Sequence, residues 1–488
     1  MNKSFLKISA MLLAVMLTIT SCELLDGIVE PPINQDLTEE AVLGVAGSGQ
    51  QVLNGVERQA ALYLNEILPI SEIASDNYTN TRTFYNQFLD RLDIDFTDDD
   101  LEDTHFDLAR MSELALFGLN TILPGDPAAD AVVEGELRFY SGYARLAMAE
   151  IFGALPGEPN GPVVSEETHL QAAITEFQAV VNLAGAGSFA KTSSLIGLAR
   201  AYRLLGDRDN AANFAEQAIA EGPDHLREIQ FDFNNGPTSN MQNALYDRGT
   251  FDDLQPLPRL DFLDPKYSLI GGTAESPAAL VKIEEAHLIL CEAQIAQNSL
   301  ADAQQTMKDI IGLVATRRTL SLDDNREGRT HNDEGSRPDS TDVLVKASET
   351  DMERAGLVLD RQGDNIEVPV VSGTSVTEAM VDAIASQDEA YEVLYLMRQE
   401  IFMAEGRRMT DLGIRLVVSF IEVQNNPNVS EGDPSTTASL PPYIDAIKTE
   451  LDEIQSYDRN GQSPRVCTIK HNLNAILVAN KSEALPFE

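Results

Sequence analysis

The 488-residue sequence predicts a mostly α protein: a tetratricopeptide-like solenoid of helical pairs that carries an irregular, loop-rich ligand-binding lobe. Three observations point there. Over residues 194–223, Leu195, Leu198, Ala199, Tyr202, Gly206, Ala211, Ala215, Ala218 and Pro223 fall at the offsets of a tetratricopeptide repeat, where small side chains let two antiparallel helices close and proline ends the unit. Apolar periodicity predicts helices in pairs over 105–122, 131–152, 168–184, 190–205, 207–221, 279–297 and 300–314. Two polar stretches, 230–275 and 319–342, interrupt the pairs, and long interruptions of this kind in a compact protein are often functional.

In chain order, Lys3 and Lys7, an apolar run over 8–19 and small residues before Cys22 read as a secretion signal over 1–21. The run is shorter than the roughly 20 apolar residues that a membrane span needs. Ile19-Thr20-Ser21-Cys22 resembles a bacterial lipobox, which makes Cys22 the expected lipidation site and 22–37, with Pro31 and Pro32, a tether. A helical scaffold is expected over 38–318, opening with Thr38 as N-cap and a helix over 50–68 that ends near Pro69. The stretch 75–103 sets Tyr78, Phe84, Tyr85 and Phe88 among Asp76, Asn77 and Arg82. Rings beside amide, carboxylate and guanidinium groups suit a sugar or peptide site, offering flat apolar faces and fixed polar groups.

Ala173 and Phe177 fit the second helix of another unit, paired with 131–152 across the Gly- and Pro-rich loop 153–166. Residues 280–314 read as a looser repeat, with Cys291 at a small-residue packing position. The inserted loop 230–275 again carries binding-loop chemistry, with Tyr246, Phe251 and Tyr267 as ring candidates. Within the polar region 319–377, Asp323, Asn325, Glu327, Gly328 and Glu334 follow a calcium-loop spacing. Gly335 to Pro338 block the exit helix such a loop requires, so a metal-free polar loop is the other reading.

The last segment, 378–488, is expected to hold a C-terminal helix and the rest of the lobe. Residues 391–415 read as one amphipathic helix, through Leu394, Met397, Ile401, Ala404 and Leu412. Along it Glu405, Arg408, Asp411 and Arg415 alternate in sign, as a self-paired solvated face or as a structural lock. Short strands are expected around 466–469 and 476–479.

Composition excludes some functions. With 78 Asp and Glu against 35 Lys and Arg, a net charge of −43 repels phosphate backbones and anionic membrane surfaces, so nucleic acid is not an expected partner. No hydrolase or zinc motif occurs, and His105 and His169 read as helix-surface residues, so neither an enzyme nor a cofactor other than the calcium is expected. A Cys291–Cys467 bridge stays open. There is no tryptophan, leaving tyrosine as the sugar-stacking ring.

Arg398, Glu405, Gly406, Arg408, Asp411 and Leu412 match the C-terminal signature of SusD/RagB-like outer-membrane lipoproteins, roughly E-R-x-x-E-[LF]-x-x-E-G-x-R-x-x-D-L. Met397 and Ile401 depart from its upstream acids, and Met409-Thr410 replaces its aromatics. The lipobox, Asn54-Gly55-Val56, Ser75-Asp76, the helix ending in Phe152-Gly153 and the 282–293 helix resemble the family in their order. The resemblance implies a lipid-anchored protein on the exterior face of the outer membrane, acting as lid to a TonB-dependent barrel transporter and capturing an oligosaccharide or peptide without breaking bonds. It makes Asp76, Asn77, Tyr78, Arg82 and Tyr85, with Tyr267, the expected ligand contacts, and Arg398, Glu405, Gly406, Arg408 and Asp411 a structural motif. The rival reading is a tetratricopeptide scaffold lipoprotein for envelope assembly that binds no small ligand.

Overall fold

A computed structural model of the chain describes residues 43–80, 86–247, 254–267, 275–322, 338–360 and 365–488. The leader, the tether with Cys22, the loop residues Arg82 and Tyr85, and the calcium-like positions Asp323, Asn325, Glu327 and Glu334 lie outside the described residues.

Eight helices make the solenoid: α1 (Ser48–Ile73), α2 (Asp99–Phe117), α3 (Ala131–Phe152), α4 (Glu166–Asn182), α5 (Ser188–Leu204), α6 (Arg208–Glu221), α7 (Ile283–Ala296) and α8 (Leu300–Val314). Each packs on the next, and α6 packs on α7 although the long interruption separates them in sequence. The helix starts follow local chemistry. Asp98 accepts the Asp100 N–H at 3.0 Å, and Asp99, Asp100 and Glu102 sit where the helix dipole favours negative charge. Helix α2 therefore begins six residues before the expected His105. Asp130, Ser165 and Asp207 cap α3, α4 and α6 in the same way.

Pro69 does not end α1. The helix runs on to Ile73 because Leu68, Ile70 and Ile73 are buried, and burial of about 1.5–3 kcal/mol per large side chain offsets the roughly 3 kcal/mol that an internal proline costs. Small residues set the helix spacing elsewhere. Phe177 of α4 fills the space left by two glycines: a Cβ on Gly142 of α3 would come within 2.8 Å of its ring, and one on Gly197 of α5 within 2.6 Å. The 194–223 repeat buries Leu195, Leu198, Ala199, Ala211, Ala215 and Ala218 as its offsets require. Cys291 packs on α8, with Sγ 3.6 Å from the Ala303 carbonyl oxygen, and both Cys291 and Cys467 are free thiols.

Short strands fix the lobe. Strand β1 (Tyr78–Asn80) pairs antiparallel with β3 (Leu254–Pro256), while β2 (Leu226–Ile229) pairs antiparallel with β4 (Ala278–Lys282) and returns the chain to α7. Residues 279–282, expected as helix, thus form a strand. The region 319–377 is more than a polar loop: Thr319–Leu322 pairs with Ile366–Pro369, and β5 (Val343–Lys346) runs parallel to β7 (Arg465–Ile469), itself flanked by β6 (Ile454–Tyr457). Val343, Val345, Leu357 and Val358 make a small core of their own with Cys467 and Ile469. The strand expected near 466–469 is present, whereas 476–479 belongs to a helix, Leu473–Ala479.

The largest departure is at 391–415. Helix α9 (Gln387–Ile401) stops, the chain reverses through Ala404 at φ 56° and Gly406 at φ 70°, and α10 (Arg408–Asp411) is a single turn. The cause is competition for carbonyls. Lys282 Nζ donates to Ile401 O at 2.7 Å, Lys266 Nζ to Met403 O at 3.1 Å and the Tyr267 hydroxyl to Ala404 O at 3.0 Å. These donors outweigh the roughly 1–2 kcal/mol that a left-handed alanine costs. His105 and His169 are also buried rather than on a surface, with Nδ1 of His105 3.0 Å from Ser419 Oγ and Nε2 of His169 3.1 Å from Leu155 O. Burial holds both rings down to about 4, so they stay neutral.

Gly197→Ala should lower the urea midpoint by an amount equivalent to about 1–3 kcal/mol, because the Phe177 ring is fully buried and bounded by Gly142 on its other side. An unchanged midpoint would show that this ring does not set the α3–α5 spacing.

Candidate functional site

The alternating charges of 405–415 do not pair with one another. Arg408 donates from Nε and Nη2 to both oxygens of Asp76 at 2.6 and 2.9 Å, and from Nη1 to Asn474 at 2.9 Å. Asp411 accepts two bonds from Arg398 at 3.0 and 2.9 Å. Glu405 holds Lys266 and Lys282, the latter at 2.7 Å, while Arg415 reaches Glu166 at 3.2 Å. A second tier lies beside these. Arg407 contacts Glu285 at 3.2 Å and Glu150 at 3.5 Å, Arg200 pairs with Glu150, and Arg203 meets Glu292 at 2.5 Å and the Tyr395 hydroxyl at 3.1 Å. Apart from Arg415, Glu166 and Lys266, these groups are buried. The charges are thus held by partners from α3, α4, α5, α7, α9, the stretch after α1 and the lobe rather than from the next turn. Gly406 supplies the left-handed turn that presents Arg408, and lies against Ile67 and Leu68.

Four of the expected ligand contacts belong to this interior, and that expectation is corrected. Asp76 and Asn77 are 0% exposed, Tyr78 and Tyr267 1%. Asp76 is held by Arg408 and by Gln399 at 2.9 Å, and Asn77 donates to Glu72 at 2.7 Å while accepting from Gln399 at 3.0 Å. The extension of α1 past Pro69 carries 74–77 inside, β1 pairing seals Tyr78, and the Tyr267 hydroxyl is spent on Ala404 O. In the described part of that loop the exposed ring is Phe88, at 63%, with the Arg91 guanidinium 5.8 Å from its centroid.

An open arrangement of rings and polar groups occurs where α1, α3 and α5 meet β2 and the turn after it. A cleft of about 400 Å³ is lined by Asn54, Glu57, Arg58, Tyr140, Phe189, Arg227, Gln230, Asp232 and Asn235. Phe189 is half exposed, and the Arg227 guanidinium lies 4.3 Å from its centroid and 4.2 Å from that of Phe139. Two bonds to Glu136, at 2.7 and 3.2 Å, and one to Ser193, at 2.9 Å, fix that guanidinium. Burial, with Glu136 adding to it and Arg227 opposing, raises the Glu57 carboxyl. Asp232 shapes the turn by accepting the N–H groups of Asn234 and Asn235 at 2.8 and 3.1 Å, and Phe233 on the same turn is exposed. The cleft thus offers an aromatic face, the exposed guanidinium of Arg58 and several amides, which can stack on and hydrogen-bond a polyhydroxylated or amide ligand. The sequence reading had singled out this part of 230–275 but missed Asn54 and Phe189. Phe189 lies one residue before the helix expected over 190–205, in the first turn of α5, where it stays exposed.

Among the described residues no group of three His, Cys, Asp or Glu is placed to hold a metal ion. No described helix is long and apolar enough to cross a membrane.

No family model and no curated protein matches the sequence. Solved structures do match in fold. A SusD superfamily protein from Bacteroides fragilis aligns with a TM-score of 0.54 at 12% identity, over 80% of this chain and 100% of that one. A SusD superfamily protein from Parabacteroides distasonis gives 0.54 at 11%, over 79% and 98%, and a SusD-like carbohydrate binding protein from Bacteroides vulgatus gives 0.51 at 12%, over 87% and 90%. The chain has the SusD fold, in agreement with the resemblance carried by Arg398 to Leu412.

Arg408→Ala, which strands Asp76 in the interior, should destabilise the protein by about 3–5 kcal/mol in chemical denaturation. A loss under 1 kcal/mol would mean that water reaches Asp76. A second expectation concerns pH. Burial pushes the Glu72 carboxyl up to about 7, against the Asn77 amide, the Ala404 N–H and Lys266, which favour the ionised form. The folded state therefore takes up a proton between about pH 4.5 and 7, and this contribution to stability, complete below 4.5, is lost as pH rises through 7. Glu72→Gln should raise the melting temperature at pH 8 and leave it nearly unchanged at pH 4.5; equal gains at both would rule out this linkage.

Proposed function

We propose that this protein captures a nutrient, an oligosaccharide or a peptide, at the cell surface and passes it to a TonB-dependent outer-membrane transporter whose lid it forms. The observation that carries the reading is the SusD fold along nearly the whole length of the Bacteroides fragilis protein, joined to a lipobox-like Cys22. The neighbour from Bacteroides vulgatus is described as carbohydrate binding, which favours a sugar as the ligand. Acylation at Cys22 would hold the chain to the outer membrane with its bulk facing outward. Capture and transfer need no bond-breaking, so the protein acts as a binder and not as an enzyme.

The ligand would contact the Phe189 cleft, with Arg58, Gln230 and Asn235 reading its polar groups, and the loop residues Arg82 and Tyr85 as further contacts. The rival reading, a scaffold for envelope assembly, calls for an open stack of repeats. Here α9 covers α7, whose buried residues lie on nearly every side. That cover favours capture.

Calorimetry against neutral-glycan and peptide panels tests the proposal. Phe189→Ala is expected to weaken the best ligand about tenfold, roughly 1.4 kcal/mol, and Arg82→Ala and Tyr85→Ala should also weaken it. Affinity purification from solubilised outer membranes should recover a large barrel transporter. Recovery of assembly-machinery proteins alone, with no ligand in either panel, would overturn the reading.

A further inference from the structure

Along α2, Phe106, Arg110 and Glu113 follow at steps of four and three, which places them on one face of the helix. All three are exposed, Phe106 at 53%. The Arg110 guanidinium lies 5.7 Å from the Phe106 ring centroid. Among the described residues neither Arg110 nor Glu113 has an ion-pair or hydrogen-bond partner, although they stand one turn apart on that face. The face is one wall of a cavity of about 430 Å³, whose other walls come from Arg145 and Met148 of α3 and from the stretch 156–160.

That stretch is pinned in place. Arg145 Nη2 donates to Gly157 O at 2.6 Å, Asn428 Nδ2 to Asn160 O at 2.9 Å and Asn426 Nδ2 to Gly161 O at 2.8 Å. It brings to the cavity the Glu158 carboxylate and the Asn160 side-chain amide, both exposed and neither spent on a partner among the described residues. Glu422 adds a third carboxylate, which accepts from Asn426 at 2.8 Å. Burial raises the Glu113 carboxyl, with Arg145 opposing and Glu422 adding to the rise.

We propose that this cavity is a second ligand site, for a neutral sugar whose ring lies against Phe106 and whose hydroxyls bond Arg110, Glu113 and Asn160. The wall selects a neutral, hydroxyl-rich ligand. Three carboxylates and two guanidinium groups stand round one space, so a simple anion meets the acids and a simple cation meets Arg110 and Arg145. A sugar hydroxyl both donates and accepts, so it can serve a carboxylate and a guanidinium together, and each bond to a charged group is stronger than one to a neutral group. Because the stretch 156–160 is already held by α3 and by Asn426 and Asn428, little ordering is lost on binding. The site shares no residue with the Phe189 cleft and does not rest on the capture reading.

Saturation-transfer NMR titrations of the whole protein carrying Phe189→Ala, which weakens the other cleft, test this with glucose, galactose, mannose and xylose in turn. N-acetylglycinamide serves as the neutral amide control, and glucosamine hydrochloride and sodium glucuronate as charged comparators at fixed ionic strength. At least one of the four neutral sugars is expected to saturate. Adding Phe106→Ala should weaken its binding about tenfold, and adding Glu113→Ala several-fold. Both changes fall at exposed positions, and an unchanged melting temperature verifies that the fold is intact. The absence of saturation by all four sugars, an affinity indifferent to Phe106→Ala, or tighter binding of the amide or of either charged sugar than of every neutral one would overturn the proposal. Loss of all sugar binding with Phe189→Ala alone, where the unaltered protein binds the same sugars, would overturn this site and leave the Phe189 cleft standing.

Discussion

Asp76 and Arg408 are separated by 332 positions in the chain and have almost no access to water. An ionised pair in that setting is tolerated only if each group is satisfied by the other and by further hydrogen bonds, since losing one partner leaves an uncompensated charge. The surroundings meet that condition. Gln399 bridges Asp76 and Asn77, accepts from Asn474, and Asn474 in turn accepts from Arg408. The end of α1, the end of α9, the single turn α10 and the helix Leu473–Ala479 are therefore held in one mutual geometry. A polar network of this kind has few alternative arrangements, so it acts on the uniqueness of the fold as much as on its stability.

The same demand explains why the chain breaks after Ile401. Lys282 is buried at the start of α7 and needs three acceptors, which Val371 O, Ile401 O and Glu405 provide. Two of those acceptors are available only if α9 stops and the chain reverses. Strand β4, which carries Lys282, is also the strand that brings the long interruption back to the solenoid. One lysine thus ties the return of the insertion to the turn of the C-terminal segment. The repeat stack continues past the interruption because that connection is fixed.

Net charge of −43 and a buried ionic layer are separate facts with a shared consequence. Outside, acids dominate and keep phosphate-rich partners away. Inside, acids are matched by arginine and lysine, yet burial still prevails at some: it pushes Glu72 up to about 7 and raises Glu285 even beside Arg407, and Glu66, half-buried near Asp103, Asp100 and Asp107, is also pushed up to about 7. Mild acid relieves both the outer repulsion and these inner carboxylates, so a protein of this design holds together better somewhat below neutrality than above it. Of the two arginines at the Phe189 cleft, Arg58 is exposed and Arg227 is buried in the wall.

Helical pairs were legible in the sequence because their signals are local. Alanine and glycine at repeat offsets, Asp or Ser before an apolar run, and apolar steps of three and four act within a few residues of where they stand, and 194–223 and 300–314 fold as their own residues dictate. The C-terminal signature likewise marked the fold and the residues of the lock. What those residues touch was decided only in three dimensions. Glu405, Arg408 and Asp411 sit at helical spacings that promise pairing along one helix, yet Lys266, Lys282, Asp76 and Arg398 reach them first, and three captured carbonyls end the helix. Asp76, Asn77, Tyr78 and Tyr267 have the composition of a binding loop and the position of a core. Side-chain chemistry is fixed by the sequence, but whether it faces a ligand or the interior depends on which distant element packs over it, and for these four residues tertiary packing chose the interior.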